Sequence, residues 1–307
     1  MTATTIRLGV VQPQTRWGED EPQNLDHAIA YVGQAAALGV DLLAFPENHP
    51  GPYTAGRRYE VVDPMCAAAK EHGIAVMFGT SFEVEGRPGH CEIAHVFARE
   101  DGTVAGICPR THPVGPYIYE GGELWDFSYE ESDQFTVVDL GFGTVGVVTC
   151  SEAFVPEVAR VMAKKGAELC IFPSGILIDE LGYTDNWRTL VRARAIENLM
   201  YTAVTVNLFD LSLAAPYRQA EIAVPPSASG LSRGIAMICS PERVLAQSEA
   251  PGILTADLDF ARIRELRATE EELIIPAPYA TIPGITGWAR PMIYDELRRL
   301  NEEESRP

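Results

Sequence analysis

Three side chains stand where a reactive group is easiest to mount rigidly. Glu47 follows the apolar run LLAFP, Arg110 follows VAGICP, and Cys150 closes GTVGVVT just before Ser151-Glu152. Each lies where an apolar strand gives out into a loop, so a stiff element can aim a side chain that is still reachable. The three types are complementary. A thiolate attacks electrophilic carbon, a carboxylate carries the proton it must lose, and a fixed cation raises the thiolate fraction and steadies a developing anion. Taken singly, each has a structural alternative: a strand-end cysteine is more often a small core residue, a glutamate after a strand is more often a helix cap or a solvated carboxylate, and an arginine pairs with whatever acid is near.

The surrounding pattern supplies the elements to hold them. IRLGVVQ (6–12) reads as a strand. A helical period follows through Leu25, Ile29, Val32 and Ala36, and Gly39 stops it. VDLLAFPE (40–47) is apolar throughout, as expected of a strand covered on both faces. A helix over 60–72 precedes strands at 74–82, 93–100 and 103–110, the last two joined at Asp101-Gly102 as an antiparallel hairpin. Further strands are expected at 135–140, 143–150, 167–174, 201–208, 234–240, 243–249 and 252–259, with helices at 155–165, 185–199 and 260–267. Strands and helices mixed without a linker give an α/β fold and suggest two sheets face to face with helices outside, although periodicity does not by itself set the layer order. The domain expected is a single one over 1–297, followed by an acidic tail at 298–307 whose run Glu302-Glu303-Glu304 reads as a frayed, solvated terminus. The loop 111–134 has no period, and loops of that length in compact domains are usually functional.

At 307 residues the chain can bury a large core without disulfides, and its six cysteines include no closely spaced pair. That pattern reads as reduced thiols in a cytoplasmic protein. The start carries no basic segment followed by an apolar core, and no apolar run reaches the ~18–20 residues that span a bilayer. A formal net charge of −19 argues against a nucleic-acid partner, which needs a clustered basic face. Cationic residues are almost all arginine: the lysines are Lys70, Lys164 and Lys165 alone.

Other chemistries find less support. No histidine follows Cys150, so a cysteine–histidine dyad would draw on His112 or an earlier one. His90, Cys91 and His95 lie on a hairpin without helical ligand spacing, so no metal is expected. There is no glycine-rich phosphate loop, and no cofactor is implied.

The strings LLAFPEN, PRTH, GVVTCSE, ARAIENLMYTAVTVN and RVLAQSEAPGILTADLDFARIRELR, in that order, closely resemble the nitrilase superfamily of carbon–nitrogen hydrolases, and RPMIYDEL (290–297) resembles its closing segment. The resemblance covers residues 5–297. It implies a four-layer αββα sandwich that pairs into a homodimer or higher homo-oligomer. It also implies a Glu–Lys–Cys triad with Glu47 as general base and Cys150 as nucleophile. Glu123, followed by Phe127, matches a second glutamate, and Glu120 competes for that place. The triad's lysine falls on Arg110, and no other lysine lies where it could substitute. A guanidinium can donate to an oxyanion, an interaction worth about 2.7–4 kcal/mol per donor in such sites. It is bulkier than an ammonium and cannot exchange protons near neutral pH.

What the resemblance implies for substrate is a small molecule. Nitrilases of the family usually carry an aromatic residue after the nucleophile, where this chain has Ser151. The Glu-x-x-x-Phe form at 123–127 is similar to the amidase and carbamoylase branches, which points to a linear amide or N-carbamoyl compound rather than a nitrile. Tyr117, Tyr119, Trp125, Tyr217 and Ser151 are candidates to shape the pocket, from loops 111–134 and 209–230 and the nucleophile turn. Arg233 is a candidate for a substrate carboxylate or else a surface arginine. The alternative function is a weakened relative that binds a ligand or partner through the same pocket.

Overall fold

A computed structural model describes residues 5–56, 58–112, 127–175, 181–210, 231–268 and 291–304. Its strands in chain order are β1 (Thr5–Gln12), β2 (Gln14–Thr15), β3 (Leu42–Ala44), β4 (Ala75–Glu83), β5 (His90–Ala98), β6 (Val104–Pro109), β7 (Ser128–Tyr129) and β8 (Val137–Asp139). The second half adds β9 (Thr144–Val147), β10 (Leu169–Ser174), β11 (Tyr201–Val206), β12 (Leu208–Phe209), β13 (Met237–Cys239), β14 (Val244–Gln247) and β15 (Gly252–Asp259). The helices are α1 (Gln23–Ala37), α2 (Val62–His72), α3 (Pro156–Lys164), α4 (Leu181–Asn198), α5 (Phe260–Ala268) and α6 (Pro291–Glu304).

One sheet runs β15-β1-β3-β4-β5-β6, with β7 also on β5, and the other runs β14-β13-β11-β10-β9-β8. Period-2 alternation on strands covered on both faces builds the layers. In β3, Leu42 and Ala44 join the core between the sheets with Val145, Val147, Leu169 and Ile171, while Leu43 turns outward to Val32 and Ala35 of α1. In the second sheet Ile171 faces inward, and Cys170 and Phe172 face out among Val158, Met162, Trp187 and Val191 of α3 and α4. The order is therefore helices, sheet, sheet, helices, the sandwich expected. The hairpin expected between 93–100 and 103–110 is β5–β6, paired antiparallel with His95 opposite Cys108. β1, β3 and β4 run parallel to one another, as do β9, β10 and β11. The ends of β3, β9, β10 and β11 that lead into loops are the ends where open parallel sheets place their sites.

Two boundaries differ from the sequence expectation. The run 143–150 leaves its strand after Val147 and winds a short 3-10 turn, Cys150–Phe154, before Pro156 opens α3. The segment expected as an acidic tail from residue 298 is helical to Glu304, so the boundary after 297 falls inside α6. Ion pairs Arg299–Glu296 and Arg298–Glu302, at the helical spacings of three and four, give that exposed helix local support and bring Glu302 into it. No described helix is long and apolar enough to cross a membrane.

Candidate active site

Glu47 sits just beyond β3, in a turn pressed against the neighbouring strand. A Cβ on Gly79 of β4 would lie 2.3 Å from the backbone nitrogen of Asn48, so only glycine lets the turn approach this closely. Asn48 takes a left-handed φ of 52°, a conformation asparagine tolerates better than most residues. Asn207, just past β11, donates to the Glu47 carbonyl at 2.8 Å, and its own Oδ1 accepts from Thr15 at 2.7 Å. These contacts fix the backbone under a carboxylate that is 2% exposed.

Cys150 follows β9 with φ 49°, a left-handed conformation that is costly for a residue with a Cβ. A capping box holds it there: the Thr149 side chain accepts from the backbone of Glu152, and the Glu152 carboxylate accepts from Thr149 N–H at 2.6 Å. Glu152 does more than cap. Its Oε1 accepts from Thr111 N (2.7 Å), Thr111 Oγ1 (2.8 Å) and His112 N (2.9 Å), so one buried carboxylate ties the cysteine turn to the loop after Arg110. The His112 backbone is part of this anchor, while its ring is half exposed.

Arg110 is fully buried. Its Nη1 donates to Glu47 Oε1 at 2.5 Å, its Nη2 to Ser151 Oγ at 2.8 Å, and its Nε to the His112 carbonyl at 3.1 Å. Tyr129 lies 5.7 Å from the guanidinium carbon and donates its hydroxyl to the Arg110 carbonyl. A buried charge needs a partner, and Glu47 and Arg110 supply each other's. Gly175, following β10, completes the group: its N–H donates to Glu47 Oε2 at 2.9 Å, and both this N–H and the Glu47 carboxylate act on the electrostatics of the Cys150 thiol. Carboxylate, guanidinium and sulfur thus come together from three distant stretches of chain.

The thiol's electrostatics differ from the sequence expectation of a cation-lowered pKa. Burial, first, and the charge of Glu47, second, push the Cys150 thiol well above its ordinary value of 9.0; Arg110 and the Gly175 N–H pull it down by less. Cys150 therefore rests as a thiol, and its proton has to be removed during attack by a base already in place. His95 stays neutral beside the site, pushed down to about 3 by burial and by the charge of Arg110.

Of the other residues singled out, Glu120, Glu123, Tyr117, Tyr119, Trp125 and Tyr217 lie outside the described residues. The Ser151 hydroxyl is turned to Arg110. Arg233 meets Glu249 through two nitrogens, at 2.9 and 2.5 Å, and Arg188 shares that carboxylate at 3.1 Å. Glu152 was missed as an anchor, although Thr-x-x-Glu at 149–152 is the capping-box signature. Among the described residues no group of three or more His, Cys, Asp or Glu is arranged to hold a metal.

Comparison with known proteins identifies the family. Nitrilase homolog 2 of Dictyostelium discoideum is 26% identical over 200 residues, 61% of this chain and 59% of that protein. An omega-amidase of Xenopus tropicalis is 26% identical over 271 residues, 80% of this chain and 86% of that protein. The crystal structure of a carbon–nitrogen hydrolase from Helicobacter pylori superposes with a TM-score of 0.71 at 21% identity, covering 95% of this chain and 98% of that one, which shows a shared fold. The family model for carbon–nitrogen hydrolases matches residues 7–268, most of the chain, and the chain belongs to that family.

Proposed function

We propose that this protein hydrolyses a linear amide or N-carbamoyl compound through a thioester on Cys150, with Glu47 as general base and Arg110 as the fixed cation. The observation that carries this reading is the buried Glu47–Arg110 pair brought up against a cysteine held in a strained turn. A raised thiol pKa suits it, because Glu47 then takes the proton as the sulfur attacks the carbonyl carbon. The negative charge that builds on the carbonyl oxygen is met by Arg110 and by the N–H after Cys150. Protonated Glu47 hands its proton to the departing nitrogen, which leaves as ammonia or an amine. Water, activated by the same carboxylate, then attacks the thioester, releasing the acid and restoring the thiol.

Two considerations favour an amide or carbamoyl group over a nitrile: Ser151 rather than an aromatic residue follows the nucleophile, and an omega-amidase is among the relatives. By resemblance, Glu123 assists at the substrate nitrogen, and Tyr117 and Trp125, on the loop 111–134, are candidates to shape the pocket. A substrate carboxylate at Arg233 would compete with Glu249 for it. The working form in this reading is a pair of chains, a reading supported by the exposed apolar side chains Phe154, Ile196, Ile293, Leu297 and Leu300. The test is ammonia release from a panel of linear amides and ureido acids. Wild type should turn over at least one, and Glu47→Gln and Cys150→Ala should abolish it; equal turnover by the Cys150→Ala protein would overturn the reading.

A further inference from the structure

Arginine beside a carboxylate general base carries a specific hazard. A guanidinium presents its N–H groups as a planar fork, and its preferred pairing with a carboxylate is bidentate, one nitrogen on each oxygen. Such a fork next to a base puts a charge-assisted hydrogen bond on each oxygen and so makes the carboxylate a weaker base. Arg110 does not make it. Only Nη1 reaches Glu47, at Oε1. Glu47 Oε2 accepts from the Gly175 N–H instead. Nη2 is turned to the Ser151 hydroxyl, and Nε to the His112 carbonyl, whose own N–H is tied to Glu152.

We infer that Ser151 is a positioning residue, whose hydroxyl holds Arg110 Nη2 off Glu47 so that an arginine can stand beside the base without closing on both of its oxygens. A neutral hydroxyl is a weaker acceptor than a carboxylate. It holds Nη2 at 2.8 Å here while Nε is engaged by the His112 carbonyl at 3.1 Å. The side chain next to the nucleophile thus acts on the cation, and through it on the base.

This inference rests on the hydrolytic reading for its kinetic consequence but not for its structural one, so two readouts separate them. In a crystal structure of Ser151→Ala, Nη2 is expected within hydrogen-bond distance of Glu47 Oε2; an Arg110 that keeps its single contact overturns the inference. In turnover, Ser151→Ala should lower kcat about tenfold, part of the 10²–10⁴ that general-base action contributes, with KM little changed. Ser151→Thr, which restores the hydroxyl, should recover most of it. In an Arg110→Lys background, where no fork can form, the Ser151→Ala effect should shrink to less than about twofold, a non-additivity that a purely structural loss would not show. A fork with kcat unchanged, or an equal loss in both backgrounds, also overturns the inference and leaves the hydrolytic reading intact. A fork in a protein whose wild type turns over nothing removes the hydrolytic reading and leaves the placement of Ser151 standing.

Discussion

Glu152 Oε1 lies 2.7 Å from Thr111 N, a contact that fastens the turn carrying the nucleophile to the loop carrying the cation. Arg110 directly precedes Thr111, and Cys150 lies two residues before Glu152, so this one carboxylate sets how far the guanidinium stands from the sulfur. Its four accepted hydrogen bonds come from both sides of the gap.

Glu152→Gln should therefore injure stability and catalysis together. An amide replaces one accepting oxygen with a donor, which then faces an N–H that has lost its partner, and an unmet buried group costs ~1–3 kcal/mol. Urea unfolding should show a loss of about 3 kcal/mol, with kcat falling in the fraction that remains folded. Unchanged stability would mean that the carboxylate is not the anchor described.

The mix of strands and helices was legible in the sequence from its apolar runs and helical periods, while the layer order of the sandwich came from the resemblance of its motifs to the nitrilase superfamily. Glu47, Arg110 and Cys150 could be marked because each ends an apolar run. What one dimension hid was whatever depends on approach between runs. The thiol of Cys150 was expected to be lowered by Arg110, yet burial and Glu47 outweigh the guanidinium, a balance that only distance and depth decide. Nothing in the sequence shows that Arg110 Nη2 reaches the Ser151 hydroxyl. The end of the chain looked like a tail because its charges were counted as a run rather than as pairs three and four apart.

Arg110→Met leaves Glu47 as a buried carboxylate without its counter-charge, which should cost about 3–5 kcal/mol of unfolding free energy. Arg110→Lys should recover part of this, and its turnover should be altered rather than newly created. Chemical denaturation and kcat on the same preparations check both. A lysine variant that goes from no activity to robust turnover would show that Arg110 disables the site.

The buried thiols should make stability fall at alkaline pH. Burial pushes Cys239 up to about 11 and Cys108 up to about 12, against 9.0 in the open chain, and raises Cys150 and Cys170 further. Below pH 9 both states keep these protons. As pH rises beyond that, the unfolded chain loses them first, so stability falls toward the native values, with a slope approaching about 1.4 kcal/mol per pH unit for each thiol. Urea midpoints measured from neutral to strongly alkaline pH should show the decline, and Cys108→Ala should make it shallower. A midpoint independent of pH over that range would contradict the burial of these groups.

If two chains pair through the apolar side chains left exposed on the helical faces, light scattering should give twice the chain mass. Replacing Ile293 and Leu297 of α6 with glutamate should shift the protein toward monomer. A monomeric wild type at micromolar concentration would remove pairing from the proposal.

The most direct measurement of the central claim is acid-quenched intact mass and peptide mapping of wild-type protein during turnover of an amide that it hydrolyses. Expected is a mass gain equal to the acyl group, confined to the peptide carrying Cys150 and absent from Cys150→Ala. Turnover with Cys150 unmodified, or an acyl group on another residue, would contradict it.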